Sequence, residues 1–205
     1  MKKYIYPSAN DAFRRRCQTV DVSKGKSRRS KIRSIGKGLQ PDSRGFPTPA
    51  YYRHMSRLHH IAIAGYPYMV TTVTAGRIPV LAEPAHAQIV MDGVLHGRAM
   101  EWWKLIAFVV MPDHLHMLIV PAQKHVSGCV KAVKGYSARL INARLQRHGA
   151  LWQTGFFDYV LDTEEKIVSR INYIEGNPVR RGLTTRPEEY IFSSASCVEK
   201  MDRVF

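Results

Sequence analysis

The chain has 205 residues, 45% of them hydrophobic, and a net charge of +15. This length and apolar content predict one folded domain with an appendage, and the charge favours a polyanionic partner over a merely soluble basic surface, because Lys and Arg displace the counterions condensed on phosphates. The longest apolar run, Leu105–Pro112, is too short for a membrane span of about 20 residues, and the three separated cysteines form no metal or redox motif, so we expect a cytoplasmic protein.

Residues 1–50 form a basic segment of distinct composition. They hold 13 of the 31 Lys and Arg residues but 3 of the 16 acidic ones, with few large apolar side chains. Such a segment cannot bury a core, which predicts a flexible, disordered arm. Pro41, Pro47 and Pro49 mark its end, so we expect a folded domain over residues 51–205. The arm either follows a nucleic-acid backbone or serves as a solubilising tail.

The first half of this domain predicts three strands and a helix. Tyr68–Thr74 is rich in β-branched and aromatic residues, which is typical of a strand. An apolar stripe of helical spacing follows over Glu83–Trp102. Two more strands are expected at Lys104–Met111 and His114–Val120, and the Pro-Asp dipeptide between them predicts a tight turn. These two strands should therefore pair as a hairpin.

The second half predicts a helix, a strand and a last helix. We expect the first helix over His125–Arg147 and the strand over Trp152–Leu161. Asp162 or Thr163 can cap the last helix, which should end near Asn177 because the proline that follows disfavours helical geometry there. The order of elements predicts an α+β domain, in which helices pack on one face of a ferredoxin-like antiparallel sheet.

His114 and His116 lie two positions apart in a predicted strand. Side chains alternate across a strand, so both imidazoles project from one face and Leu115 from the other. Two imidazoles spaced in this way can bind one divalent cation. Alternatively both pack or hydrogen-bond beside a loop, because such triplets also arise by chance. Burial of two imidazoles without partners is costly, which favours the ligand role.

Tyr173 and Asn177 lie four positions apart in the last predicted helix, about 40° apart around its axis. Lys166 and Arg170 fall on the same face. A tyrosine flanked by two cations and an amide can hold a phosphate, although an ordinary interfacial tyrosine shows the same pattern. Together with the histidine pair in a very basic chain, these residues predict cleavage of a nucleic-acid strand by a tyrosine.

Several blocks of the sequence resemble one family. The run Val110–Ile119 resembles the HUH motif (His, hydrophobic, His) of single-strand transposases. Other blocks resemble the REP-associated tyrosine transposases in matching order. They are Tyr68–Thr71, Leu151–Gln153, Tyr173–Gly182 and Phe192–Ser194. The likeness covers roughly residues 51–197 and does not extend to the arm.

This resemblance implies an endonuclease of the HUH type that acts on single-stranded DNA with Mg²⁺ or Mn²⁺. His114 and His116 match the metal ligands, and Asn177 matches the residue that completes the metal site. Tyr173 matches the nucleophile. Glu175 and Gly176 depart from the family pattern, in which apolar or aromatic residues are common at these positions. The glycine before Asn177 predicts a looser helix end and a less fixed amide.

The resemblance also implies a setting for the protein. The family's substrates are palindromic repeats that fold into hairpins, so we expect single-stranded or hairpin DNA as the partner and a bacterial, nucleoid-associated location. A monomer is favoured, with a dimer as the alternative because related single-strand transposases pair. The expected reaction is a transesterification that leaves a 5′-phosphotyrosine and a free 3′ hydroxyl, without a nucleotide cofactor.

Five residues are candidates for contact with DNA, namely Lys166, Arg170, Arg180, Arg181 and Trp152. The four cations can meet phosphates, or they can form an ordinary solvated surface. Trp152 can stack on an unpaired base, although tryptophan lies more often in a core.

Tyr136 is a second candidate for the nucleophile, because it also lies on a basic predicted helix. Leu140, which cannot bind a metal, occupies the position four residues later. A stacking or packing role is therefore the better interpretation of Tyr136.

Two other functions compete with strand cleavage. The first is a protein that binds DNA hairpins without cutting them and acts as an architectural or regulatory factor. The second is a metal hydrolase of small phosphoesters, which needs further acidic or histidine ligands, and the nearest carboxylate, Asp113, lies in the predicted turn. A pure DNA-binding protein needs no set of two histidines, a tyrosine and an amide, which favours the transposase-like enzyme.

Overall fold

The computed structural model of the protein describes residues 65–202. The chain divides into two units, Met1–Arg53 with Phe205 and His54–Val204, and the described residues all belong to the second. The predicted basic arm over residues 1–50 lies outside the described residues. Between residues 65 and 202, no helix combines the length and the apolar character that a membrane crossing requires.

Residues 65–202 form an alternating series of strands and helices. The strands are β1 (Tyr68–Val73), β2 (Trp103–Met111), β3 (His114–Pro121) and β4 (Phe157–Val160). The helices are α1 (Pro84–Ala99), α2 (Val126–Arg144), α3 (Glu164–Glu175) and the single turn α4 (Asn177–Arg180). Short 3₁₀ turns connect these elements.

The strands form one sheet in the order β2-β3-β1-β4, and every neighbouring pair is antiparallel. The chain order βαββαβ with this strand order is the ferredoxin-like arrangement, which confirms the predicted fold class. The register pairs Thr71 of β1 with His116 of β3, and Val73 with His114. The two histidines therefore lie on an inner strand of the sheet.

The two faces of the sheet are covered by different helices. Helices α1 and α2 pack on one face, where Leu115, Met117 and Ile119 of β3 join the main apolar core. Helix α3 packs on the opposite face, through Ile167 and Ile174. The prediction placed the helices on one face. That holds for α1 and α2, whereas α3 follows the last strand and covers the face that they leave.

The structure shortens one predicted strand and decides between the two predicted caps of the last helix. The strand expected over Trp152–Leu161 is reduced to β4, because Trp152 makes only an isolated bridge to Thr74. Thr163 is the N-cap of α3, and its Oγ1 accepts a hydrogen bond from the Lys166 backbone N–H at 3.3 Å.

The outer edge of β2 is covered by the last described residues. The Val110 N–H donates to the Phe192 carbonyl at 2.9 Å, and the Asp202 N–H donates to the Leu105 carbonyl at 2.7 Å. Covering an edge strand satisfies its backbone groups and prevents pairing with other chains. The family block that contains Phe192 therefore covers this edge of the sheet.

Candidate active site

Strand β3 brings His114 and His116 together on the face that α3 covers. The two ring centroids lie 4.7 Å apart, and both side chains are buried. Alternation along the strand sends Leu115 to the opposite face, into the core under α1 and α2. The predicted arrangement of the histidine pair is therefore present.

Each histidine is anchored through its Nδ1 atom. Nδ1 of His114 lies 2.6 Å from a carboxylate oxygen of Asp113, which can only accept, so this nitrogen carries the proton. Nδ1 of His116 lies 2.8 Å from the Thr71 hydroxyl. When Nδ1 donates in both rings, both Nε2 atoms present a free lone pair, which is the tautomer that a metal ligand requires.

Asp113 connects His114 to a second charge. The Arg77 guanidinium donates to the other carboxylate oxygen of Asp113 at 3.0 Å. Burial by itself raises the pKa of Asp113, but the hydrogen bond and charge of His114, together with the charge of Arg77, lower it to about 2. Asp113 therefore stays ionised and orients the His114 ring.

The environment of His116 keeps its ring neutral. Burial holds the pKa of His116 well below its ordinary value, and the neighbouring His114 and the positive charges of Arg180 and Arg181 lower it further, against the opposing charge of Asp113. Neutral imidazole is the form that binds metal ions.

Helix α3 places Tyr173 against the histidine pair. The Tyr173 and His116 rings meet edge to face, with centroids 5.5 Å apart. Asn177 begins the next helical turn and is 1% exposed. The N–H of the glycine before it donates to the Asn172 carbonyl at 2.9 Å, and the Asn177 side chain is buried.

Three buried nitrogens of these residues have no hydrogen-bond partner. They are Nε2 of His114, Nε2 of His116 and Nδ2 of Asn177. Buried polar atoms without partners are rare, and a cluster of them marks a position that another group completes. Rotation of the amide by 180° presents its oxygen instead of its nitrogen, so the set offers two imidazole nitrogens and one carbonyl oxygen. This donor set fits a divalent cation.

The third member of this donor set is an amide rather than a carboxylate or a thiol. Across residues 65–202, no group of three or more His, Cys, Asp or Glu side chains is placed to hold a metal ion. Asp113 is engaged with His114 and Arg77, so it acts on the site from behind the His114 ring.

The predicted DNA-binding cations fall into two groups. Arg170 and Arg180 both contact the Tyr173 ring, with guanidinium carbons 5.6 Å and 4.6 Å from its centroid. Arg181 is exposed, and its charge reaches His116. Lys166 lies in the first turn of α3, where its ammonium pairs with Asp162. Three of the four cations therefore surround the site, and Lys166 lies apart from it.

Two predicted aromatic candidates lie on the other face of the sheet. Trp152 is 5% exposed, belongs to the core under α1 and α2, and donates its indole N–H to the Ser137 hydroxyl at 3.0 Å. A base cannot stack on a ring that is buried in this way, so the packing interpretation of Trp152 is correct. Tyr136 of α2 packs against Gly93 of α1, away from the histidine pair.

Sequence reasoning missed the residues that orient the histidines. Thr71 lies on the neighbouring strand, and only the strand register shows that it meets His116. Asp113 was considered as a metal ligand rather than as a partner of His114. Arg77 gave no signal at all: it adopts a left-handed conformation with φ of 56°, which is uncommon for a residue other than glycine.

An inner strand of a ferredoxin-like sheet thus presents His114 and His116 to Tyr173 on a helix. The family described as "Transposase IS200 like" matches residues 64–177, a range that ends at Asn177 and includes both histidines and Tyr173. The chain belongs to this family.

Individual relatives are more distant. A putative REP-associated tyrosine transposase from Haemophilus influenzae is 20% identical over 103 residues, which are 45% of this chain and 58% of that protein's length. The solved structure of a REP-associated tyrosine transposase bound to a REP hairpin is 20% identical, with a TM-score of 0.57 over 68% of this chain and 82% of that one. A putative transposase from Deinococcus radiodurans R1 is 26% identical over 58% of this chain and 94% of that one, with a TM-score of 0.41.

Proposed function

We propose that the protein is a metal-dependent endonuclease and strand transferase that cuts single-stranded DNA at hairpin-forming repeats through a 5′-phosphotyrosine intermediate. The contact between the Tyr173 ring and the His116 ring carries this proposal. It supports the proposal because the phenol ring of Tyr173 lies against the ring of His116, whose Nε2 atom, like that of His114, is buried without a partner. Family membership supports the same chemistry.

The roles of the residues follow from their groups. The Tyr173 hydroxyl attacks the phosphorus of a DNA phosphodiester, so an oxygen–phosphorus bond forms while the bond to the 3′ oxygen breaks. The phenol loses one proton and the departing 3′ oxygen gains one. The product is a 5′-phosphotyrosine with a free 3′ hydroxyl. Because the phosphodiester bond energy is kept, a 3′ hydroxyl can reverse the step and join strands.

His114, His116 and Asn177 are the residues that would hold the metal. A bound divalent cation polarises the phosphodiester and favours departure of the 3′ oxygen. Both Mg²⁺ and Mn²⁺ are compatible with the family, but Mg²⁺ prefers oxygen ligands and imidazole suits softer ions. Two of the three donors here are imidazoles, so we expect Mn²⁺ to support the reaction better than Mg²⁺.

Hairpin DNA is the proposed partner. The chain carries a net charge of +15, Arg170 and Arg180 contact the Tyr173 ring, and the charge of Arg181 reaches His116. The solved relative with this fold is a REP-associated tyrosine transposase bound to a REP hairpin. We further propose that residues 1–50 are a basic arm outside a catalytic domain of residues 51–205, that the protein acts as a monomer, and that it associates with the nucleoid in the cytoplasm.

An adduct assay tests the proposal. The protein is incubated with hairpin oligonucleotides taken from beside its own gene, with Mn²⁺, Mg²⁺ or EDTA, and covalent protein–DNA product is measured on denaturing gels. We expect an adduct with either ion and none with EDTA. Tyr173→Phe should abolish the adduct because it removes the attacking oxygen. Tyr136→Phe is the matched control and should retain it.

The assay also separates the competing functions. An adduct that persists in Tyr173→Phe and disappears in Tyr136→Phe would contradict our assignment of the nucleophile. Hairpin binding without an adduct under any divalent ion would instead support the architectural or regulatory protein. Binding should weaken with salt, with a slope of about 0.7 for each phosphate neutralised on a single strand.

A further inference from the structure

The segment after Tyr173 brings Arg180 back over the tyrosine. The two residues lie seven positions apart, about two helical turns, and α3 and α4 meet between them at Gly176. The Arg180 guanidinium carbon lies 4.6 Å from the centroid of the Tyr173 ring, and Nη2 of Arg180 donates a hydrogen bond to the Tyr173 carbonyl oxygen. One guanidinium thus contacts both the ring and the backbone of one residue.

Gly176 leaves the space that this contact needs. Its φ of −76° and ψ of −3° are open to any residue, so backbone conformation does not explain the glycine. A Cβ atom at this position would lie 2.8 Å from Nη1 of Arg180 and 2.9 Å from the Asn172 carbonyl oxygen. A side chain at position 176 would therefore press on the Arg180 guanidinium, which can move, and on the Asn172 carbonyl of the α3 backbone, which cannot move as easily.

We propose that Arg180 is a positioning residue for Tyr173 and that the absence of a side chain at Gly176 leaves room for its guanidinium. The proposal rests on Tyr173 being the nucleophile. Arginine suits the role because a planar guanidinium can stack on an aromatic face while its N–H groups donate hydrogen bonds. The contact selects the side-chain conformation in which the Tyr173 ring meets His116.

A positioning role has a large effect on rate. Attack on phosphorus requires the reacting atoms to be about 3–3.5 Å apart and aligned, and a displacement of about 1 Å can lower the rate about 100-fold. Arg180 is exposed, so it also lies where DNA phosphates can reach it. Lysine distinguishes the two roles, because an ammonium keeps the charge for a phosphate but neither stacks nor donates as a planar fork.

The main experiment compares Arg180→Ala and Arg180→Lys with wild type in the adduct assay at saturating hairpin DNA, with binding measured separately by anisotropy. We expect both variants to form adduct about 10–100-fold more slowly, and we expect Arg180→Lys to bind DNA with nearly wild-type affinity. Arg144→Ala is the matched control. It removes an exposed arginine from the end of α2 and should change neither quantity.

A second measurement does not depend on activity. In protein with ¹³C-labelled tyrosine rings and no DNA or metal, the Tyr173 signal is identified by its loss in Tyr173→Phe. We expect Arg180→Ala and Arg180→Lys to move this signal, and Arg144→Ala to leave it in place. Gly176→Ala should move it as well, and its effect on the adduct rate should be smaller in an Arg180→Ala background than in wild type, because the two share one contact.

Three results would overturn the inference: a wild-type adduct rate in Arg180→Lys, an unmoved Tyr173 signal in Arg180→Ala, or full additivity between Gly176→Ala and Arg180→Ala. The first result would make Arg180 a phosphate-binding residue. If wild type forms no adduct with any divalent ion, the proposed function fails, whereas the ring signals still decide whether Arg180 holds Tyr173.

Discussion

The two faces of the sheet serve different purposes, and strand β3 belongs to both. On the face under α1 and α2 it contributes Leu115, Met117 and Ile119, which lie fully buried in an apolar core. On the face under α3 it contributes His114 and His116. Adjacent residues of one strand therefore supply apolar packing on one side and the candidate chemistry on the other.

The face under α3 carries the unsatisfied polar atoms of the site. Within residues 65–202, six buried side-chain nitrogen or oxygen atoms have no hydrogen-bond partner, and half of them are the Nε2 and Nδ2 atoms of His114, His116 and Asn177. Such atoms lower stability unless another group completes them. The face under α3 therefore holds an incomplete polar cluster beside apolar packing of its own.

The largest effect is expected from Leu115→Ala. This side chain is fully buried under α1 and α2, so its removal leaves a cavity and should lower the free energy of unfolding by about 2–5 kcal/mol. Urea unfolding followed by circular dichroism measures the loss. A loss below about 1 kcal/mol would show that the apolar face does not dominate stability.

Gly97→Ala tests how closely the same face is packed. A Cβ atom at Gly97 would lie 1.9 Å from the Trp103 ring, which is itself buried, so α1 would have to move away from β2. We expect a loss of about 1–3 kcal/mol in urea unfolding. Gly135→Ala is the control: it lies within α2 with open space around it and should gain about 0.5–1 kcal/mol. Equal effects of the two changes would refute close packing at Gly97.

The sequence could predict those features of the face under α3 that follow from strand alternation and helical spacing. The positions of His114 and His116 follow from strand alternation, and the proximity of Tyr173 and Asn177 follows from their spacing of four. The ferredoxin-like order of strands follows from the order of elements. These features depend on local periodicity, which the sequence records directly.

Contacts between elements distant in the sequence could not be predicted in this way. Thr71 reaches His116 because β1 pairs with β3, and the register of that pairing is a property of the whole sheet. Arg77 reaches Asp113 from a turn in which its own backbone is left-handed, a conformation that an arginine in the sequence does not predict. The contact of Trp152 with Ser137 likewise depends on where α2 packs. The sequence does not give that position, so it could not exclude the stacking role of Trp152 that the structure contradicts.

His116→Leu tests the opposite face. The change removes a buried imidazole and its Nε2 atom, which has no partner, but it also leaves the Thr71 hydroxyl without the nitrogen it contacts. These effects oppose each other, so we expect the free energy of unfolding in EDTA to change by less than about 1 kcal/mol. Mn²⁺ binding by calorimetry should be lost. A metal affinity equal to that of wild type would exclude His116 as a ligand.

The smallest effect is a pH dependence of stability that belongs to His116. Its pKa is held well below the ordinary value by burial, by the neighbouring His114 and by the charges of Arg180 and Arg181, with Asp113 opposing. The unfolded chain therefore binds a proton at this residue near pH 6.5 that the folded chain does not bind, so stability is fully present above that pH and falls as the pH falls toward the lowered value. Asp113, with its pKa near 2, stays ionised throughout this range and adds nothing to the change.

The comparison with His116→Leu isolates this contribution. Urea unfolding in EDTA at about pH 7.5 and about pH 6 should show that wild type loses more stability than the variant, by less than about 1 kcal/mol. The other histidines are common to both proteins, and all of them except His114, which contacts the His116 ring, contribute equally to the two responses. An identical pH response would mean that His116 is protonated equally well in the folded and the unfolded chain. The face under α3 would then be more open to water than the burial of His116 indicates.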